Sequence, residues 1–167
     1  MFQTGDRVVY GIHGICDIKG VENQKIEGKA VTYLVLEPVG QPGARYLVPT
    51  HNPAAMGKVK SMLTRQELEQ LLRSDSVRKN GWIRDEGQRK QTYRELISSG
   101  DRERLMAMVH TLYCHRTEQT ASGRKVHVCD ENFLRDAEKL LTGEIAVVKC
   151  ISQEEARAWL RKELKME

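Results

Sequence analysis

The side chains best suited to chemistry cluster in the second half of the 167-residue chain: His110, Cys114, His115, His127 and Cys129. His110 and Cys114 stand four residues apart, which on a helix puts an imidazole and a thiol on one face, where they could share a metal such as zinc. Two features weigh against that reading. Cys114 falls beside the apolar stripe of Leu105, Val109 and Leu112, where a thiol behaves as a small hydrophobe. His127-Val128-Cys129 follows no spacing that requires a metal. A Cys–His nucleophile pair fares no better, because nothing supplies an oxyanion hole or an orienting acid. The chain contains no Gly-x-Gly-x-x-Gly, no phosphate loop ending in Gly-Lys-Ser/Thr, no Gly-x-Ser-x-Gly and no His-Glu-x-x-His. Binding without catalysis, cofactor or metal is the expectation.

What could be bound is suggested by charge. The net charge is +4, and it is concentrated between Arg73 and Arg94, where Arg73, Arg78, Lys79, Arg84, Arg89, Lys90 and Arg94 face only Asp75, Asp85 and Glu86. Outside this segment acids and bases balance. A local excess of cations attracts a polyanion, whereas a mixed surface does not; a solvated helix face is the alternative. In the middle of the segment lies Asn80-Gly81-Trp82-Ile83-Arg84. Trp82 stands in a turn-prone stretch off any regular apolar face, and two readings are open. It plugs a seam between helices, or it is an exposed wedge in a basic rim, able to insert at a base step while its neighbours neutralise phosphates. Trp159, at helical spacing with Ala156, Leu160 and Leu164, is expected in the core.

The elements that must position these residues change character midway. Val8-Val9-Tyr10, Ile15 to Val21, Val31 to Leu36 and Arg45 to Val48 read as short strands separated by Gly- and Pro-containing turns. Together they suggest a small, strongly bent sheet or partial barrel. Thr50 to Ser61 reads as a linker. Beyond it the period becomes helical. Thr64-x-x-Glu67 is a capping box, a helix begins near Asp85 and stops at Gly100, Asp101 caps the next, another starts near Asp130, and Ser152-x-x-Glu155 caps the last. The fold class is α+β, divided as residues 1–57 and 58–167. A composition of 40% apolar and 30% charged residues suits a globular chain. There is no apolar run near 18 residues and no signal-peptide plan at the N-terminus, so a cytoplasmic location is expected. The four cysteines lack the framework of a secreted protein, and nothing demands more than a monomer.

The N-terminal pattern Phe2-x-x-Gly5-Asp6-x-Val8-Val9-Tyr10-x-x-His13-Gly14, followed by Ile26-x-Gly28, Tyr33-Leu34-Val35-Leu36 and Val48-Pro49, resembles the CarD/CdnL family of bacterial transcription regulators, whose first module is shared with transcription–repair coupling factors. Trp82, the segment from Tyr93 to Gly100-Asp101, and Leu140-Leu141-x-Gly143-Glu144-Ile145-Ala146 extend the resemblance over most of the chain. It implies a Tudor-like β module that grips the β subunit of RNA polymerase by strand pairing, with Gln24, Lys25, Ile26, Arg45 and Leu47 as contact residues. It also implies a helical domain at the upstream edge of the transcription bubble, where Trp82, Lys79, Arg84, Arg89 and Lys90 contact DNA weakly, with little regard to sequence, and stabilise the open complex. The chain departs from the pattern at Gln24 and Leu47, where relatives often carry a base. Lys25, Lys29 or Arg45 could supply that charge. After Trp82 only Arg84 matches the usual basic residues, since Asp85 and Glu86 follow. His127-Val128-Cys129 replaces the usual Ser-containing helix cap. A protein-only adaptor that never meets DNA is the alternative.

Overall fold

The run Arg7–Tyr10 forms strand β1, and a one-turn 3-10 helix at Gly11–His13 returns the chain into β2 (Ile15–Ile26), which pairs with β3 (Lys29–Pro38), then β4 (Tyr46–Pro49). A short helix α1 (Pro53–Met56), capped by Asn52, leads into β5 (Val59–Ser61). All pairings are antiparallel and the order is β4-β3-β2-β1-β5. The computed structural model describes residues 2–79 and 81–166, and it divides the chain into two compact units, Met1–Met62 and Leu63–Glu167. Strand alternation decides what the sheet buries. Val8, Cys16, Ile18, Leu34, Leu36, Val48 and Val59 point to one face and form its core. A bulge between Ile18 and Gly20 reverses the alternation of β2, so Gly20, Glu22, Gln24, Ile26, Tyr33, Val35 and Leu47 share the opposite face, as the register Gly20↔Val35↔Leu47 and Glu22↔Tyr33 requires.

Two expectations for this half need correction. Strand β2 runs to Ile26 rather than ending near Val21, because the β2–β3 hairpin projects beyond its core and its tip residues have no reason to alternate in polarity. The hairpin's two-residue turn, Glu27-Gly28, has φ of 50° and 78°, the doubly left-handed turn that suits the twist of a hairpin. The stretch read as linker is structured: Val59–Ser61 is an edge strand on β1, so the first unit ends after Met62 rather than at residue 57.

In the second unit the capping boxes act as read. Thr64 and Glu67 cap α2 (Arg65–Arg73), and Ser152 and Glu155 cap α6 (Gln153–Glu163). A 3-10 turn at Asp75–Arg78 follows α2. Asp85 caps α3 (Glu86–Ser99), which stops at Gly100 with φ 67°, and Asp101 caps α4 (Arg102–Ala121). Helix α5 runs unbroken through Gly143, from Val128 to Lys149. These helices enclose a core that includes Leu68, Tyr93, Met106, Val109, Leu134, Ile145 and Leu160. Arginine–carboxylate pairs tie them together, among them the buried or half-buried Arg89–Asp130, Arg102–Glu144 and Arg161–Glu138 and the more open Arg116–Glu131. Among the described residues no helix is long and apolar enough to cross a membrane.

Candidate functional site

Trp82 lies in the irregular segment between Arg78 and α3. The segment is held by bonds from other elements. The Gly81 N–H donates to Thr111 Oγ1 at 3.3 Å, and Arg89 Nη1 donates to the carbonyls of Ile83 at 3.0 Å and Arg84 at 3.4 Å. The indole is half-buried and packs on the helical core. It stacks on the His115 imidazole, with centroids 3.5 Å apart and planes 12° from parallel, and the Arg89 guanidinium carbon is 4.5 Å from its centroid. The seam-filling reading of Trp82 is therefore part of the answer, though the side chain is not fully enclosed.

The five residues expected to meet DNA are not equivalent. Arg89 must be withdrawn as a DNA contact. It is 2% exposed, and its fork pairs with both oxygens of Asp130 at 2.9 and 3.1 Å. Burial opposes its charge, but the hydrogen bonds and charge of Asp130 outweigh that and raise its pKa. A basic residue in a charged stretch looks like surface until a buried carboxylate forty-one positions away is known to meet it. Lys90 is paired with Glu86 at 2.7 Å, one turn away, while Lys79 and Arg84 are exposed. Sequence reading overlooked Arg124 and Lys125, both exposed in the connection from α4 to α5. That connection ends at His127, which is near enough to His115 and Glu86 to influence their titration. Their signal is a Gly-Arg-Lys run after a helix, masked by the balance of acids and bases over the chain outside residues 73–94.

The His/Cys cluster is dispersed. Cys114 Sγ lies 3.9 Å from His110 Nε2, but among the described residues no three His, Cys, Asp or Glu side chains are grouped to hold a metal ion. Burial pushes the Cys114 thiol up and His110 down, so both are held in uncharged forms. His115 is also shifted down, first by burial and further by Arg89 and His127, against the opposing pull of Asp130 and Glu118.

On the β unit, alternation brings Gln24, Ile26 and Leu47 to the face opposite the core, with the Arg45 side chain reaching Glu22 across it. Lys25 points to the other face. Ile26 is 46% and Leu47 36% exposed. Gly20, Glu22, Val35 and Arg45 border a shallow hollow of about 320 Å3 on this face. Arg45 and Gln24 both bond Glu22, which is held below the usual carboxylate range by these two partners. The positive charge of Arg45 is thus already matched. β4 forms one edge of the sheet and ends in Pro49, which has no N–H to offer.

A small antiparallel sheet with an open face and a free edge, followed by a helical unit carrying a clamped tryptophan, defines a protein of two modules. Comparison with family models identifies both. The CarD-like/TRCF RID domain matches residues 2–60, and the CarD C-terminal domain matches residues 67–161. The chain belongs to the CarD family, a family of non-enzymatic transcription factors that interact with RNA polymerase.

Proposed function

We propose that this protein docks on the β subunit of RNA polymerase through the β4 edge and the adjoining outer face of its sheet, and that its helical unit contacts promoter DNA at the upstream edge of the bubble. The observation that carries the reading is the presentation of Trp82: a large planar side chain on a loop, braced from behind, with exposed Lys79 and Arg84 near it in sequence. A braced wedge loses little freedom on insertion, so more of its contact energy is realised. Contacts better made to melted than to closed DNA shift the equilibrium between them without chemistry. Arg124 and Lys125 add phosphate-neutralising charge on this reading. On the β unit, Ile26 and Leu47 supply apolar contact beside main-chain pairing at the edge.

A protein-only adaptor is favoured by one observation. With Arg89 buried and Lys90 tied to Glu86, less of the basic segment is available than its composition suggests. One pair of measurements on the full-length protein distinguishes the readings. Capture on polymerase of the cognate species should be lost in Ile26→Glu and Leu47→Glu. DNA affinity should fall steeply with salt, and Arg84→Ala should lower the log–log slope by about one. Polymerase capture with salt-insensitive or absent DNA binding would establish the adaptor.

A further inference from the structure

The helical unit devotes unusual means to one loop side chain. The segment bearing Trp82 has neither helix nor strand to orient it, yet its backbone and its ring are fixed by residues of two helices. Arg89 of α3 bonds the two carbonyls that follow Trp82 and places its guanidinium at the indole. Asp130 of α5 locks Arg89 through a two-pronged, buried ion pair. His115 of α4 stacks nearly parallel on the indole, and Gln119 one turn on brings its Nε2 to 3.4 Å from His115 Nε2. Core packing alone needs no such set: an aromatic pair is satisfied by many tilts, and a seam-filling tryptophan by apolar neighbours.

We infer that His115 is a positioning residue that fixes the angle at which Trp82 is presented to nucleic acid, with Arg89 and Asp130 as the frame behind it. The inference rests on the DNA-contacting reading of Trp82 and assigns the residue that sets its geometry. His115 touches no DNA in this account. Its stack also reports its own protonation. The groups that act on it are the indole from the loop, Arg89 from α3, Glu118 and Gln119 on α4, Asp130 from α5 and His127 from the connection before it. The burial that favours the neutral imidazole keeps it uncharged at neutral pH, and in acid a second cation forms beside Arg89 at the indole.

The test uses full-length protein with Trp159→Phe, so that Trp82 is the only tryptophan, and compares it with His115→Gln and His115→Phe in the same background. Trp82 emission is followed from pH 8 to pH 5, its anisotropy is measured at pH 7.5, and open-complex lifetime is recorded with polymerase. The expected emission change has a midpoint below the ordinary histidine value and vanishes in both variants. His115→Gln should free the indole, lowering its anisotropy, and shorten the open-complex lifetime about two- to tenfold, the worth of an aromatic stacking contact. His115→Phe, which keeps a flat ring, should restore both. If His115→Gln leaves anisotropy and lifetime unchanged while the variant stays folded by circular dichroism, the inference is overturned. If Trp82→Ala itself does not shorten the lifetime, the DNA-contacting reading fails instead, and the anisotropy result alone then decides whether His115 positions Trp82.

Discussion

Trp82 and Trp159 have similar surroundings by the usual measures and owe them to different causes. Both are half-buried, both pack on the helical core, and each has a cation over its ring, Arg89 at 4.5 Å and Lys149 at 4.4 Å. Trp159 belongs to α6, whose own hydrogen bonds orient it and whose periodicity places Ala156 and Leu160 inside. The loop of Trp82 takes its hydrogen bonds from Thr111 and Arg89. A helical aromatic is thus positioned by local sequence, and a loop aromatic by side chains far away in the chain. What looks like equal burial is local in one case and collective in the other, and only the collective one can be altered by residues that never touch the tryptophan.

The largest test of that difference removes the frame. Asp130→Ala leaves the buried Arg89 charge without its partner and should cost about 3–5 kcal/mol in a urea titration. Emission from Trp82 should shift and that from Trp159 should not. The double variant Arg89→Met with Asp130→Leu should recover most of the stability, since an apolar pair of similar volume replaces the ions. It should leave the Trp82 loop misplaced, because the bonds to Ile83 and Arg84 are gone.

Next in size is truncation of the tryptophans themselves. Trp159→Ala opens a partial cavity against the helical core and should cost about 2–3 kcal/mol, short of the full cost of a buried aromatic because the ring is only half-enclosed. Trp82→Ala should cost about 1–2 kcal/mol, as the loop bonds to Thr111 and Arg89 survive. A Trp82→Ala cost above that of Trp159→Ala, measured by the same titration, would reverse the ranking and make Trp82 mainly a core residue.

The smallest effect is that of pH. Burial lowers the pKa of His115 and His110 in the folded state. Between those values and the free value near about 6.5 the unfolded chain binds more protons, so stability rises with pH through that window and is lost as pH falls through it. The melting temperature should therefore be lower at pH 5.5 than at pH 7.5, and His115→Gln should narrow the gap. A gap unchanged in both His115→Gln and His110→Gln would mean that neither stack nor burial restrains these imidazoles.

The legible parts of the molecule were those written locally. Both capping boxes, the helix start near Asp85, the Asp101 cap, the Gly100 stop and the strand through Val31 to Leu36 need only neighbours a few residues away, and each is realised. Beta strand pairing beyond the core was not, because Glu22 to Lys25 form strand through backbone bonds to β3 that leave no trace in their polarity. Likewise β5 is a three-residue edge defined only by β1. At the candidate site Trp82 itself was visible as an aromatic out of period, but its partners were not. His115 stood out only as one of a His/Cys cluster expected to hold no metal and is a stacking platform; Arg89 was expected at DNA and is a buried strut. Neither role is written in the residue type, because the group that meets each side chain lies on a distant element, the Trp82 loop in one case and α5 in the other.

The central claim is that Trp82 is held for contact with DNA rather than for packing alone. Open-complex lifetime, with cognate polymerase and saturating full-length protein, tests it most directly when Trp82→Ala and Trp159→Ala are compared at a temperature where both are folded. The account predicts a shorter lifetime for Trp82→Ala at unchanged polymerase binding, and a wild-type lifetime for Trp159→Ala although that variant is the less stable. Equal lifetimes for the two variants would contradict it and leave Trp82 as a second core tryptophan.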